Sequence, residues 1–430
     1  MMGHVHIIGG GMAGLAAAVE VAGSGQRVTL YEAGPACGGR ARSYEDRRLG
    51  CRIDNGNHLL LSANDAVFRY LGLTGALGTM TGPERPVFPF ADLADDLSWT
   101  LRLSGGVLPL WVLSRGRRVP GMRIGELLSL RNLLRAGPEA TVEECLIPGA
   151  LSRRLLDPFS VSALNTPSCT ASAQLLGNVI RESLARGGAA CLPRYPAEGM
   201  SESLVDPAVA HLSVMKAEVR TGARLSWLEV TDGSVTALLF GGERIVTGPE
   251  DSVILAVTAP VATDILTPHL PRFQAPDEFE SIFNAHYRLE RAPEPVGALR
   301  EAGFMGVIGG ITEWIWVRRD IVSVTVSAAN RYAHRDPEEL GDRIWDEVRR
   351  ALDPHLRVPL PPGMPPRRLV REKRATFAAT SEQERRRPGA RTGLRNLALA
   401  GDWTATGLPC TIEGAMRSGA EAVRVLGLRA

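Results

Sequence analysis

The run Val5-His6-Ile7-Ile8-Gly9-Gly10-Gly11-Met12-Ala13-Gly14 confines this chain to a few architectures. An apolar stretch, three glycines at G-x-G-x-x-G spacing and an alanine-rich segment read as a strand, a tight turn and a helix. Each of the three glycines answers a separate demand. Gly9 permits the turn, Gly11 lets the backbone approach a phosphate, and Gly14 lets the helix lie close on the sheet. Met12 and Ala13 open the helix, whose free N–H groups and partial positive charge suit an anion. A second strand, Val28-Thr29-Leu30-Tyr31, ends at Glu32, followed by Ala33. A carboxylate there accepts from ribose hydroxyls and repels a 2′-phosphate, so the unit reads as a Rossmann-like dinucleotide site that disfavours NADP.

At 430 residues the chain exceeds what one hydrophobic core usually serves, and two interleaved domains are expected. A hydrophobic share of 44% and a formal net charge of +2 exclude disorder and a polyelectrolyte partner, so no nucleic acid is expected. Of 49 basic residues only Lys216 and Lys373 are lysines, so arginine runs are a habit of composition and carry little information. Six cysteines without a C-x-x-C pair read as free thiols in a reducing compartment. The histidines form no H-E-x-x-H or Cys/His cluster, and no metal site is expected. Neither a phosphate loop nor a G-x-S-x-G elbow is present, which removes the kinase and hydrolase readings. The fingerprint begins almost at Met1 and no apolar run reaches about 18 residues, so a cytoplasmic protein without signal peptide or spanning helix is expected.

Past Glu32 come Gly38-Gly39-Arg40, Gly50, and Asp54-Asn55-Gly56-Asn57-His58. Adjacent glycines allow close backbone approach and a guanidinium suits a diphosphate, a plain turn with a surface arginine being the alternative. Residues 62–195 mix apolar helical stretches with proline and arginine, with a helix N-cap at Thr170 and an end near Gly187-Gly188. A strand at Glu218-Val219-Arg220 and a meander over 225–246 follow, and then Ser252 to Val257 returns the chain to the nucleotide-binding domain. Trp314, Trp316, the alternating Ile321 to Val326, and Arg371 to Phe377 form the sheet of an inserted domain. Near the end, Asn396 to Trp403 is a buried strand closing on Gly401-Asp402, and Thr411-Ile412-Glu413-Gly414 opens the last helix. Strand, acid, loop and helix N-terminus again make a ligand-binding end, although Glu413 also suits the dipole of its own helix. The expected fold is α/β: a Rossmann-like domain from 1–75, 196–260 and 386–430, with an inserted α+β substrate domain from 76–195 and 261–385.

The extended spacing after Glu32 resembles the flavin-containing amine oxidase and carotenoid desaturase superfamily, whose architecture the GDP dissociation inhibitors share. Three stretches look more narrowly like the hydroxysqualene dehydroxylase family, often labelled squalene-associated FAD-dependent desaturase. They are Asp54 to Ser62, Arg371 to Thr380 with its basic tail through Arg387, and Gly401 to Pro409 with Thr411 to Gly414. The resemblance spans nearly the whole chain and implies FAD. Gly9, Gly11, Met12, Ala13, Gly14, Glu32, Ala33 and Gly39 would then serve its nucleotide part, and Val219 would touch adenine through its backbone. Arg40 would neutralise the pyrophosphate, with Gly401 and Asp402 bonding the ribityl or pyrophosphate part. Gly56, Asn57 and His58 would lie against the isoalloxazine, and Thr411 and Ile412 would support the flavin carbonyl edge. No cysteine or histidine stands out as an attachment point, so the binding is expected to be noncovalent.

The activity that the resemblance implies is reductive removal of the hydroxyl of hydroxysqualene, giving squalene for hopanoid-type triterpene synthesis. Because that hydroxyl is allylic, protonation lets water leave, and the delocalised cation accepts a hydride from N5 of reduced flavin. The protein must then supply a dry tunnel, an acid near the leaving oxygen, and shielding from water. Lys373 is a candidate acid and Tyr287 a second catalytic candidate, with Trp314, Trp316 and Phe377 as further cation-facing aromatics. A solvated lysine and packing aromatics are the alternatives. A squalene-like isoprenoid substrate comes from a membrane, and residues 105–135 combine Val107 to Leu113 with Arg115, Arg117 and Arg118. A peripheral membrane dip and substrate entrance is expected there, a buried hairpin being the alternative. Two other functions fit: a carotenoid desaturase or amine oxidase running the flavin in the opposite direction, and a prenyl-lipid escort of the GDP dissociation inhibitor type. The sequence specifies no electron donor.

Overall fold

A computed structural model describes residues 3–428 of the chain. The fingerprint strand His4–Ile8 is the centre of a five-stranded parallel sheet. Across the sheet the order is Glu218–Arg220, Arg27–Tyr31, His4–Ile8, Ser252–Leu255 and Leu397–Leu399. Its register places Ile7 between Leu30 and Ile254, all three fully buried, as in a parallel sheet covered on both faces. Just past the ends of four of these strands, Gly9, Glu32, Ala256 and Gly401 lie at the carboxyl end of the sheet, where open α/β sheets bind their ligands.

The helix Met12–Gly23 and the last helix Ile412–Val425 pack against each other on this sheet. Their crossing is made of small residues. A Cβ on Gly419 would lie 2.4 Å from the Ala13 carbonyl oxygen and 3.0 Å from the Ala17 nitrogen. Only a glycine lets the backbones approach so closely, and this approach carries the start of the last helix to the fingerprint edge.

The second layer is a seven-stranded mixed sheet. Its order is Arg367–Phe377, Phe279–Arg288, Ile321–Val326, Trp314–Arg318, Phe304–Ile308, Val87–Asp92 and Leu97–Arg102. Strand alternation gives it two unlike faces. Phe283, Ala285, Tyr287, Val322, Val324 and Val326 pack with Ile344, Trp345 and Val348 of the helix Pro337–Leu352. That helix is started by Asp336, whose side chain accepts from the Glu338 N–H at 3.0 Å, and by Pro337 in the first turn. The opposite face presents Ile282, Asn284 and Thr325 to a cavity shared with the parallel-sheet domain.

The helix expected from Thr170 starts at Ala173, capped by the Ser172 side chain, and ends at Glu182. Ala171 bridges to Thr380 and the Ser172 N–H donates to the Ala379 carbonyl at 2.7 Å, which holds the chain extended two residues longer than local propensity suggests. Among the described residues no helix is long and apolar enough to cross a membrane.

Gly419→Ala tests the helix crossing through its sign. An alanine inside a helix gains about 1 kcal/mol in propensity, whereas overpacking against backbone costs about 1–3 kcal/mol. A lower midpoint in thermal unfolding is expected; a raised midpoint would show that the two helices separate freely.

Candidate active site

A cavity of about 950 Å³ lies between the two sheets, at the upper end of the range for small-molecule sites. Its polar end is the fingerprint turn. Gly9 has φ +109°, and a Cβ there would sit 2.2 Å from the Ala256 carbonyl oxygen. On Gly14 it would sit 1.9 Å from the Gly9 carbonyl oxygen, whereas on Gly11 it would meet nothing within 4 Å. Two glycines are thus demanded by the protein's own packing, and the third faces open space on the cavity wall. Leu15 donates to the Gly11 carbonyl at 2.9 Å as the helix begins, leaving Met12 and Ala13 on the wall at the helix N-terminus. Glu32 is fixed from two sides, accepting from the Gly10 N–H at 2.8 Å and the Gly34 N–H at 2.6 Å. It lines the cavity with Ala33 and Gly39. Val219 does not. It pairs with Leu30 one strand away, and the wall there is formed by Ala223 to Ser226, a displacement that alternation alone could not reveal.

Arg40, expected at the pyrophosphate, and Asp402, expected at the ribityl or pyrophosphate part, are brought together. The Arg40 guanidinium donates to both Asp402 carboxylate oxygens at 2.7 Å, and its other amino group donates to the Ala375 carbonyl at 2.5 Å. Gly401, at φ +155°, donates its N–H to Ser418 at 2.7 Å, which ties this turn to the last helix. Thr411 caps that helix by accepting from the Gly414 N–H at 3.0 Å, and Thr411 and Ile412 both reach the wall. Glu413 serves neither its own dipole alone nor a free site. It accepts from the Ala66 and Val67 N–H groups at 3.1 and 3.0 Å, capping the helix Asp65–Leu73, and pairs with Arg417 at 2.6 Å. No local signal marks a cap supplied from so far along the chain.

Gly56, Asn57 and His58 also line the cavity, beside the mixed sheet. The Asn57 amide donates to Thr325 at 3.1 Å, Thr325 donates to Asn284 at 2.8 Å, and the Asn284 amide donates to the Asn55 carbonyl at 3.4 Å. A Cβ on Gly56 would come within 3.2 Å of that amide. Burial lowers the His58 pKa, with Asp54 opposing and Arg40 reinforcing, so the imidazole is held neutral near pH 7.

Away from these groups the cavity is apolar, with Phe88, Phe90, Trp111, Phe159, Trp314 and Trp316 on its walls. The Trp314 indole N–H donates to Ser162 at 2.6 Å, which fixes the ring. Tyr287 is corrected by strand parity: it lies on the helix-facing side, wholly buried, with its hydroxyl donating to the Gly341 carbonyl at 2.7 Å. Phe377 is buried beneath Arg387, whose guanidinium lies 4.9 Å from the ring centroid. Lys373 is corrected too, being exposed and off the wall, while its neighbour Glu372 lines the cavity. Sequence reasoning passed over Glu372 because a bulge between Glu280 and Ile282 blurs which residues of this strand face inward.

Residues 105–135 form short turns, Leu110–Leu113 and Ile124–Leu127, and a helix, Leu128–Leu134. Trp111 is only 8% exposed and lines the cavity with Leu127 and Leu130. Val107, Leu108, Leu110 and Leu113 stand outside, Leu113 at 71% exposure, with exposed Arg115 and Arg117 beside them.

A family model described as flavin containing amine oxidoreductase matches residues 12–426. The chain is 42% identical over 420 residues to a hydroxysqualene dehydroxylase of Zymomonas mobilis subsp. mobilis, covering 97% of each chain. It is 43% identical over 417 residues to a hydroxysqualene dehydroxylase of Rhodopseudomonas palustris, covering 96% of each. Among solved structures, cyclohexylamine oxidase from Brevibacterium oxydans superposes with a TM-score of 0.70 at 15% identity, over 99% of both chains, a likeness of fold.

Glu32→Gln replaces one accepting oxygen by an NH₂ that faces a backbone N–H. Dinucleotide affinity should weaken at least about tenfold, or 1.4 kcal/mol. The apoprotein should lose about 1–3 kcal/mol for the orphaned donor. Titration calorimetry and thermal unfolding read the two effects; an unchanged affinity would show that Glu32 serves the turn alone.

Proposed function

The chain belongs to the flavin containing amine oxidoreductase family and, within it, to the hydroxysqualene dehydroxylases, and we propose that it converts hydroxysqualene to squalene as an FAD-dependent oxidoreductase. Residues 1–75, 196–260 and 386–430 would make the FAD-binding domain, and 76–195 with 261–385 the substrate domain. The observation that carries the reading is one cavity that joins a dinucleotide groove to an apolar chamber.

The groove fits FAD on three counts. The wall is open at Gly11 where a Cβ would find only space, Glu32 offers a carboxylate to a ribose, and two helix N-termini, at Met12 and Ile412, reach the same cavity. Met12, Ala13, Glu32 and Ala33 would hold the nucleotide part, Gly39 and Arg40 the diphosphate, and Asn57, His58, Thr411 and Ile412 the ring system. Binding is noncovalent. In its reduced form FAD supplies the hydride that replaces the hydroxyl.

The remaining tasks belong to side chains. Phe88, Phe90 and Phe159 exclude water from the chamber, so that a carbocation there is not captured as the alcohol. Trp314 and Trp316 offer ring faces of negative potential to the same charge. The Asn57–Thr325–Asn284 chain engages the Thr325 hydroxyl from both sides, which lowers its availability as a nucleophile toward a cation. An escort protein without redox chemistry would need neither the opening at Gly11 nor the fixed Glu32 carboxylate.

The substrate reaches this chamber from a membrane in the same proposal. Val107, Leu108, Leu110 and Leu113 stand exposed outside Trp111, and nearby arginines suit an anionic lipid surface. Trp111 lines the cavity from the same turn, which links the exposed patch to the chamber.

Anaerobic mixing of photoreduced enzyme with hydroxysqualene should reoxidise the flavin and yield an equal amount of squalene, identified by mass. Flavin that stays reduced rejects this direction of the chemistry. Leu108→Asp combined with Leu113→Asp should reduce co-flotation with anionic liposomes at least about fivefold, while the FAD content is retained. Undiminished flotation of that folded variant rejects the membrane-facing assignment.

A further inference from the structure

The acidic side chains on the cavity wall divide sharply by how they are held. Glu32 is fixed by two backbone N–H groups, Asp402 by Arg40, and Glu413 by two N–H groups and Arg417. Asp264 is exposed. Glu372 is half-buried on the wall, and no side-chain hydrogen bond or ion pair joins it to another described residue, in a chain with only two lysines among 49 basic residues. Leaving a carboxyl without a partner amid so many guanidinium groups needs a reason.

Its position supplies one. Glu372 pairs directly across the sheet with Ile282, so both point to the same face, which Asn284 continues into the chamber. Three residues further along the strand, the Ala375 carbonyl receives Arg40, about 10 Å away at strand rise. Glu372 therefore stands on the substrate side of the sheet, one short step from the polar end of the cavity.

The other proton carriers on the wall are poorly suited to act as an acid. Tyr31 lies at the nucleotide end with its hydroxyl bonded to His6 at 3.0 Å. Burial pushes the Cys191 thiol up to about 12 and raises Cys410 as well, and burial keeps His58 neutral. The amides of Asn57 and Asn284 have no labile proton to give.

We propose that the Glu372 carboxyl is the acid that protonates the leaving hydroxyl of the bound alcohol. Its proton passes to the allylic oxygen, the C–O bond breaks with its electron pair leaving in water, and the vacated carbon receives a hydride from the reduced cofactor of the family's reaction. The carboxylate left behind regains a proton from solvent on its outer side. This rests on the dehydroxylase reading above.

Glu372→Gln keeps the shape and removes the acid. In the holoenzyme, anaerobic single-turnover formation of squalene should fall about 10²–10⁴-fold, the usual range for loss of an acid catalyst. FAD content and binding of squalene, followed by tryptophan quenching, should be unchanged, and Glu372→Asp should recover part of the rate. The acetate ester of the same alcohol, whose leaving group needs less protonation, should show a deficit under about tenfold. Wild-type rates in Glu372→Gln, or an equal loss on alcohol and ester, would overturn the assignment. A wild-type enzyme inactive on hydroxysqualene would instead reject the reaction itself.

Discussion

One guanidinium joins three segments that are remote in the chain. Arg40, in the loop after the second parallel strand, bonds both oxygens of Asp402 at the end of the last strand and the Ala375 carbonyl of the mixed sheet. Asp402 is buried, and an unpaired carboxylate there would cost several kcal/mol, so the turn at Gly401 and the loop at Gly39 have to close on each other. The Ala375 bond then sets where the mixed sheet stands against the parallel one. With that distance set, the space between the sheets becomes a cavity with a charged end and an apolar end.

Strand alternation divides the labour within the mixed sheet. One parity, with Phe283, Ala285 and Tyr287, builds a core against the helix Pro337–Leu352. The other parity presents Ile282, Asn284 and Thr325 to the cavity. Rigidity on the first side is what allows polar groups on the second, because Asn284 and Thr325 are positioned by a backbone that the hydrophobic core already holds. Thr325 links the Asn57 amide nitrogen to the Asn284 carbonyl oxygen, while the Asn57 carbonyl oxygen is buried without a partner among the described residues.

The parallel-sheet layout was legible because its signals are local. The strand, turn and helix around Gly9, Gly11 and Gly14, and the carboxylate at Glu32, all follow from short-range pattern, and the structure adds which glycine faces open space. The misplaced residues share a physical cause. Tyr287 and Lys373 each lie on a strand with the side chain off the cavity face, and a period of two assigns faces only when the register is known; the bulge between Glu280 and Ile282 also shifts the pairing of the strand that carries Lys373. Glu413 capping the helix Asp65–Leu73 could not be read at all, because a carboxylate meets N–H groups contributed by a distant segment. Thr170 lost its capping role to Ser172 through a bridge to Thr380, again a tertiary contact overriding local propensity.

The segment from Gly105 to Arg135 shows how a chain can place apolar residues on both sides of one short element. Trp111 and Val112 turn inward to a cluster with Phe90, Trp99 and Met122, while Leu110 and Leu113 of the same turn face outward. A tight turn of about three residues per cycle separates these two sets cleanly. Trp111 of the inward set also lines the chamber, so one turn contributes both to the cavity wall and to the exposed apolar surface. The exposed Arg115 and Arg117 that follow put basic groups directly beside this apolar patch.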